Sequence, residues 1–243
     1  MSGAARRRLV NGLGLGPLWV RRTLQRRDAA PTTPGGDADA SPASESTRAA
    51  LIAGMDWLAL RDTIAGCQAC RLSETRTRAV PGSGSETARW LVVGGGPSAD
   101  DDASGEAFDG RAGRLLDAML ASVGRSRAVD VHATHVVKCR PPGDRAALDD
   151  EIAACRPFLA RQVALLEPGL ALAAGERAAA TLGDDVGARG EVRRVQIGER
   201  ELAAIVTDDP ADLLRAPERK AGAWADLCLA RTTAEAGADR TRH

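Results

Sequence analysis

Four cysteines stand in two pairs, Cys67-x2-Cys70 and Cys139-x15-Cys155, in distant parts of the chain. A CxxC pair projects two sulfurs from one turn towards one metal centre, and a second pair brought alongside completes a four-thiolate site. Zinc or an iron–sulfur cluster uses such a set; buried, unrelated thiols are the plainer reading of the same spacing. Cys228, near Trp224 and Leu227 on the apolar face of a final helix, reads as packing. The second chemical feature is the stretch Leu91–Leu116. Trp90–Val93 is a short apolar run that ends in Gly94-Gly95-Gly96-Pro97, a turn where backbone must come close to something. A polar, acidic loop follows with Phe108 alone in it, and Gly110–Gly113 leads into the helical pattern Leu115, Leu116, Met119, Leu120. Strand, glycine turn, loop and helix make a nucleotide-scale site at the carboxyl end of a strand. A tight βα corner with no ligand is the alternative.

The elements that must position these residues alternate. Arg89–Val93, Val129–Val137 and Gly169–Ala174 read as strands, and Glu191–Ile197 with Glu201–Thr207 as two more, joined through Gly198-Glu199. Helical periodicity marks Arg114–Val123, Leu148–Leu166, Glu176–Leu182 and Pro217–Arg231, and apolar residues from Leu51 to Ile64 fall at roughly helical spacing. Asp208-Asp209-Pro210-Ala211 reads as a loop. Strands alternating with helices predict an α/β fold with a mainly parallel sheet covered on both faces. With 243 residues the chain can hold one such domain plus extra segments.

Formal charge is zero, so a nucleic-acid surface must be a local patch. No apolar run is long enough to span a membrane, and the N-terminus lacks the apolar region of a secretory signal. A reducing, cytoplasmic setting is expected, where cysteines serve as ligands rather than disulfides. Residues 1–27 contain seven Arg and no acid around Leu9, Val10, Leu13, Leu15, Leu18, Trp19 and Val20, a basic docking peptide. A targeting peptide, a membrane-surface peptide and a plain basic tail are its rivals. Residues 28–50 have almost no large apolar side chain and are expected to form a flexible linker. The domain is expected over 51–233, with a tail at 234–243.

Taken together, residues about 56 to 231 resemble the iron–sulfur branch, family four, of the uracil-DNA glycosylase superfamily. The resemblance rests on CQACRL (67–72), RAVPGSG (78–84), LVVGGGP (91–97), GEAFDGRAGRLLDAML (105–120), VVKCRPP (136–142), CRPFLARQVALLEP (155–168) and TDDPADLLRAP (207–217). It implies a three-layer αβα sandwich around a four-stranded parallel sheet, and a [4Fe-4S] cluster on Cys67, Cys70, Cys139 and Cys155. It also implies DNA contact through Arg140, Leu213 and Arg215, and a base pocket of Gly94, Gly96, Pro97, Phe108 and His135, with Phe108 as the stacking ring. The chain departs from the family at three polar positions. Gly95 stands where an acid orients water, His135 where an Asn reads uracil, and Asp209 where a His faces the departing base anion. Loss of one such donor typically costs about 10²–10³ in rate. A carboxylate about 4 Å from a base anion repels it by roughly 4 kcal/mol at an effective dielectric of ~20. The expectation is a glycosylase fold with lapsed chemistry; the alternative is an active enzyme with an acid relocated to Asp101, Asp102 or Asp109.

Leu13-Gly14-Leu15-Gly16-Pro17-Leu18-Trp19-Val20-Arg21-Arg22 is similar to the N-terminal peptide of the psi subunit of DNA polymerase III, which docks on the clamp loader and whose globular part pairs with chi. Trp19 lies one place later before the Arg pair than in psi. The similarity implies docking through Leu13, Leu15, Trp19, Arg21 and Arg22. Burying a Trp and two Leu side chains contributes about 1.5–3 kcal/mol each before ordering costs, enough for micromolar binding to a preformed groove. In a pull-down with peptide 9–22, Trp19→Ala should abolish capture of clamp-loader subunits; unchanged capture together with strong binding to anionic vesicles would assign the peptide to membranes.

Overall fold

The computed structural model describes residues 42–183 and 189–240. The expected docking peptide and residues 28–41 of the expected linker lie outside the described residues. Six strands form one sheet in the order β1-β3-β2-β4-β6-β5: β1 Ser83–Gly84, β2 Trp90–Gly94, β3 Val131–His135, β4 Leu170–Ala174, β5 Val192–Ile197 and β6 Arg200–Thr207. β3, β2, β4 and β6 are parallel, with Trp90 paired to Val131 and Leu170, and Leu170 to Ala203. These are the four parallel strands that the resemblance implies. β1 and the β5–β6 hairpin add antiparallel edges, so the sheet has six strands rather than four.

β2, β3 and β4 are buried along their whole length, as strands covered on both faces must be. On one face Trp90, Val92, Leu170 and Leu172 meet Leu116 and Leu120 of α4 (Gly110–Ser122) and Leu227 of α8 (Lys220–Arg240). On the other, Leu91, Val93, Ala171 and Ala173 meet Leu159 and Val163 of α5 (Asp149–Leu166) and Ala178 of α6 (Glu176–Leu182). The result is a three-layer αβα sandwich. A third apolar cluster joins Ile52 of α1 (Pro42–Ala53), Leu60 and Ile64 of α2 (Trp57–Ala65), Cys139, Cys155 and Phe158.

Several boundaries differ from the sequence expectation, each for a local reason. The expected linker gives way to α1 at Pro42: proline is at home in a first helical turn, and Ile52 and Arg48 anchor the helix to α5. The helical spacing from Leu51 to Ile64 is two helices, because Asp56 caps α2 by accepting from the Ala59 N–H at 2.9 Å. The expected loop after Pro97 contains the short helix α3 (Ala99–Ser104), closed by a Ser98–Asp101 capping box. The expected loop at 208–211 yields α7 (Pro210–Arg215), capped by Asp209. α8 runs through the expected tail to Arg240, where Ala234, Ala236 and Ala238 favour helix despite Gly237. Trp224 is 56% exposed, outside the apolar face it was assigned to. Among the described residues no helix is long and apolar enough to cross a membrane.

Behind β3 lies a polar knot. Lys138 is wholly buried and donates to Thr134 Oγ1 (2.6 Å), His135 O (2.7 Å) and Gln162 Oε1 (2.7 Å), while Gln162 Nε2 donates to Pro81 O at 2.6 Å. His132 shares that side of the strand, with its Nδ1 3.2 Å from Ser85 O. Burial, reinforced by Lys138, pushes the His132 imidazole down to about 4. An unfolded His titrates near ~6.5, so on acidification the unfolded chain takes up a proton that the folded chain refuses. Stability should therefore fall as pH drops from ~6.5 to ~4, by up to about 3 kcal/mol at ~1.36 kcal/mol per unit. Denaturant melts of His132→Asn, which keeps a donor towards Ser85, should show a shallower loss over that window.

Candidate base pocket and four-cysteine centre

The parallel strands bring their carboxyl ends to one place. Gly94 pairs with His135 and Ala174, and Ala174 with Thr207. The loops beyond them surround a cleft of about 1010 Å³, lined by Gly95, Gly96, Pro97, Asp101, Phe108, His135, Asp209 and Arg215 among others.

Asp101 organises the cleft. Its Oδ2 lies 3.0 Å from His135 Nε2 and accepts the Ser98 N–H at 3.0 Å, while Oδ1 accepts the Asp109 N–H at 2.7 Å. Burial alone would raise this carboxyl, but His135 and the two N–H donors outweigh it and hold it below the usual carboxylate range. With Nε2 engaged by Asp101, His135 Nδ1 is buried without a partner. The His135 ring stacks on Phe108, with centroids 4.6 Å apart and planes 27° from parallel. A Cβ on Gly94 would lie 2.5 Å from His135 Nδ1 and 2.7 Å from Phe108 Cζ, so the strand must carry glycine there. Phe108 itself holds φ +54°, a left-handed conformation that a bulky side chain rarely adopts. Arg127 Nη1 secures it by donating to Ala107 O at 3.0 Å and Phe108 O at 3.4 Å.

The three departing positions have distinct surroundings. A Cβ on Gly95 would lie 2.9 Å from Arg177 Cβ, so α6 occupies the space an acid would need. His135 is committed to Asp101 and Phe108. Asp209 Oδ1 accepts the Ala211 N–H at 2.7 Å, and burial pushes its carboxyl up. Of the three relocated acids considered, Asp101 alone lines the cleft. Asp102 is buried and accepts the Thr77 N–H at 2.9 and 3.0 Å, a structural role. Asp109 is exposed and caps α4 through the Gly110 N–H.

Among the expected DNA contacts, Leu213 is corrected: it is fully buried where α7 packs against α4, and its neighbour Leu214 is the partly exposed residue. Arg140 pairs with Asp144 at 2.7 Å and Arg215 with Asp212. The sequence reading did not reach the buried Asp208, which pairs with Arg189 at 2.5 Å and with Arg219, nor Asp226, which pairs with Arg189 at 2.7 Å. The run TDDP offered a signal for Asp208; nothing local marked Arg189.

The other site lies where α2, the end of β3 and α5 meet. Cys67, Cys70, Cys139 and Cys155 all line one small pocket together with Ile64, Phe158 and Arg76. Among the described residues no three His, Cys, Asp or Glu close around a single ion; the four sulfurs line the shared pocket instead. Each faces an N–H donor. Arg48 Nη2 is 3.6 Å from Cys67, the Leu72 backbone faces Cys70, Arg76 Nη1 is 2.9 Å from Cys139, and the Lys138 backbone N is 3.4 Å from Cys155. Burial raises the thiols of Cys70 and Cys139 and takes Cys155 up to about 12. A thiolate-binding group would displace those protons, and the donors would then meet charged sulfur. Four thiols, apolar walls and a donor for every sulfur fit a four-thiolate cluster.

Residues 81–230 match the family described as the uracil DNA glycosylase superfamily. A type-4 uracil-DNA glycosylase of Pyrobaculum aerophilum is 34% identical over 183 residues, covering 72% of this chain and 93% of that protein. Its counterpart in Archaeoglobus fulgidus is 43% identical over 116 residues, 48% of this chain and 58% of the relative. A DNA polymerase of Bacillus phage SP01 is 29% identical over 104 residues, which is 43% of this chain but 11% of the polymerase.

The Phe108 corner depends on one glycine of α4. A Cβ on Gly113 would fall 1.7 Å from the Phe108 carbonyl oxygen, a backbone atom that cannot swing aside. Gly113→Ala should cost about 1–3 kcal/mol of stability, the usual cost of overpacking, and should separate the Phe108 and His135 rings. Thermal melts measure the first effect; the ring-current shift of the His135 imidazole protons reports the second.

Proposed function

Since this chain belongs to the uracil-DNA glycosylase superfamily, we propose that it is a DNA-repair-type, DNA-binding iron–sulfur protein whose uracil glycosylase chemistry has lapsed. The observation that carries this reading is the state of His135. Its Nε2 is held by Asp101, its face is covered by Phe108, and its Nδ1 is buried without a partner. Base excision needs a nucleotide drawn out of the duplex, an aromatic face to stack it, and donors for the base as it departs with its electron pair. Here the aromatic face is taken by an imidazole. The position that should donate to the anion is the carboxyl of Asp209, and the position that should orient water is Gly95, closed off by Arg177.

The four-cysteine pocket is proposed to hold a [4Fe-4S] cluster through Cys67, Cys70, Cys139 and Cys155. When bound, the cluster supplies a cross-link between the segment after α2, the end of β3 and α5. DNA is proposed to meet the cleft side through phosphate contacts at Arg140 and Arg215, salt-dependent and without sequence preference. The polymerase III accessory role, with clamp loader and chi as partners, rests on residues 9–22 and is a proposal from sequence.

The alternative is an active glycosylase whose acid has moved; the position of Asp101 and His135 on the cleft wall favours Asp101 as that acid, acting with His135. Single-turnover release of uracil from single- and double-stranded DNA decides between them. The expected rate is at least about 10²–10³-fold below that of an intact type-4 enzyme. Robust release that is abolished by Asp101→Asn or His135→Ala would establish the active reading instead.

A further inference from the structure

Two arginines outside the cysteine motifs reach the four-cysteine pocket, and each does so in the same way. Arg48 of α1 donates through Nη1 to Ala154 O at 2.8 Å and through Nη2 to Cys67 Sγ at 3.6 Å, and its guanidinium lies 4.8 Å from the Phe158 ring centroid. Arg76 donates through Nη2 to Ala65 O at 2.9 Å and through Nη1 to Cys139 Sγ at 2.9 Å. One nitrogen of each fork grips the backbone beside a ligand cysteine, Ala154 next to Cys155 and Ala65 two residues before Cys67. The other nitrogen touches a sulfur. Neither arginine has a carboxylate among the ion pairs found for the described residues, and both are partly buried. Their charge is therefore directed at the sulfurs.

We propose that Arg48 and Arg76 are positioning residues that form a cationic clamp on the four-thiolate pocket, setting the charge balance of the iron–sulfur site and its resistance to chelation. This rests on the cluster reading above. Four thiolates give a loaded site net negative charge, and adding an electron makes it more negative. A guanidinium in contact with a ligand sulfur stabilises the more negative state, because hydrogen bonds and net charge at the sulfurs govern cluster potential. The fixed fork of arginine suits the task, since one planar group spans a carbonyl and a sulfur. Arg48 also makes α1 part of the metal site, although sequence composition assigned its residue to a linker.

The test uses full-length protein purified anaerobically, with iron content, midpoint potential by dithionite titration, and the rate of bleaching by a chelator. Arg76→Gln keeps an N–H donor and removes the charge; Arg76→Lys keeps the charge; Arg48→Gln and Arg48→Lys form the same pair. Both Gln variants should load iron as wild type does, shift to lower potential, and bleach about tenfold faster, the usual lower bound for losing an outer partner of a metal ligand. Both Lys variants should stay near the wild-type potential. Unchanged potential in iron-loaded Arg48→Gln and Arg76→Gln overturns the clamp while leaving the cluster in place, because a purely structural role would alter bleaching alone. Failure of the Lys variants to load iron also overturns it, since charge would then not suffice. Wild-type protein that binds no iron removes the cluster and the clamp together.

Discussion

The carboxylate of Asp101 is the constraint on which the candidate site depends. It closes the capping box of α3, accepts the Asp109 N–H at the start of α4, and holds His135 at the end of β3. Three segments separated in sequence thus converge on two oxygens, nearly sealed from water. In such surroundings an unsatisfied carboxylate is costly, so the loop from Ser98 to Asp109 can settle only where all three donors reach it. The left-handed turn at Phe108 and the close approach of Gly113 follow from that closure. So does the stacking of Phe108 on His135.

The opposite side of β3 is held by a different economy. Lys138 has no carboxylate partner in its knot with Thr134, His135 O and Gln162, and burial lowers its ammonium to about 7 while Cys155 and Cys139 oppose that shift. All three of its donor positions are satisfied by oxygen, the condition under which a buried polar network rigidifies rather than weakens a core. The strand therefore carries two polar assemblies, His135–Asp101 on one face and Lys138–Gln162 on the other. Between them β3 is pinned in register with β2, and Cys139 is delivered to the four-cysteine pocket one residue beyond Lys138.

Chemistry at the cleft is limited by charge as much as by shape. Asp208 is offset by Arg189 and Arg219, and Asp226 by Arg189. Asp209, which also lines the cleft, has no arginine within ion-pair reach among the described residues. Where Asp209 is ionised, its carboxylate on the cleft wall favours a neutral or cationic occupant over an anion. That preference supports the proposal that base excision has lapsed in a fold that retains the cleft.

Sequence by itself determined the parts that depend on short-range pattern. The fully apolar runs of β2 and β4 could only be strands covered on both faces, the Gly198 hairpin announced β5 and β6, and the paired cysteines announced a shared centre. The Ser98–Asp101 box and the Asp209-Pro210 start of α7 were also written locally, though acidic loops masked them. Tertiary structure decided the rest. Asp101, Asp102 and Asp109 are interchangeable in composition, yet only packing turned one into the cleft, one towards Thr77 and one to solvent. Leu213 and Leu214 look alike, and the contact of α7 with α4 buried the first. Arg48 sits in a segment too poor in large apolar residues to predict order, and α1 folds because Ile52 and that guanidinium find α5, Phe158 and Cys67. Periodicity records which residues leave water; which partner each one meets depends on contacts over distances that no local pattern encodes.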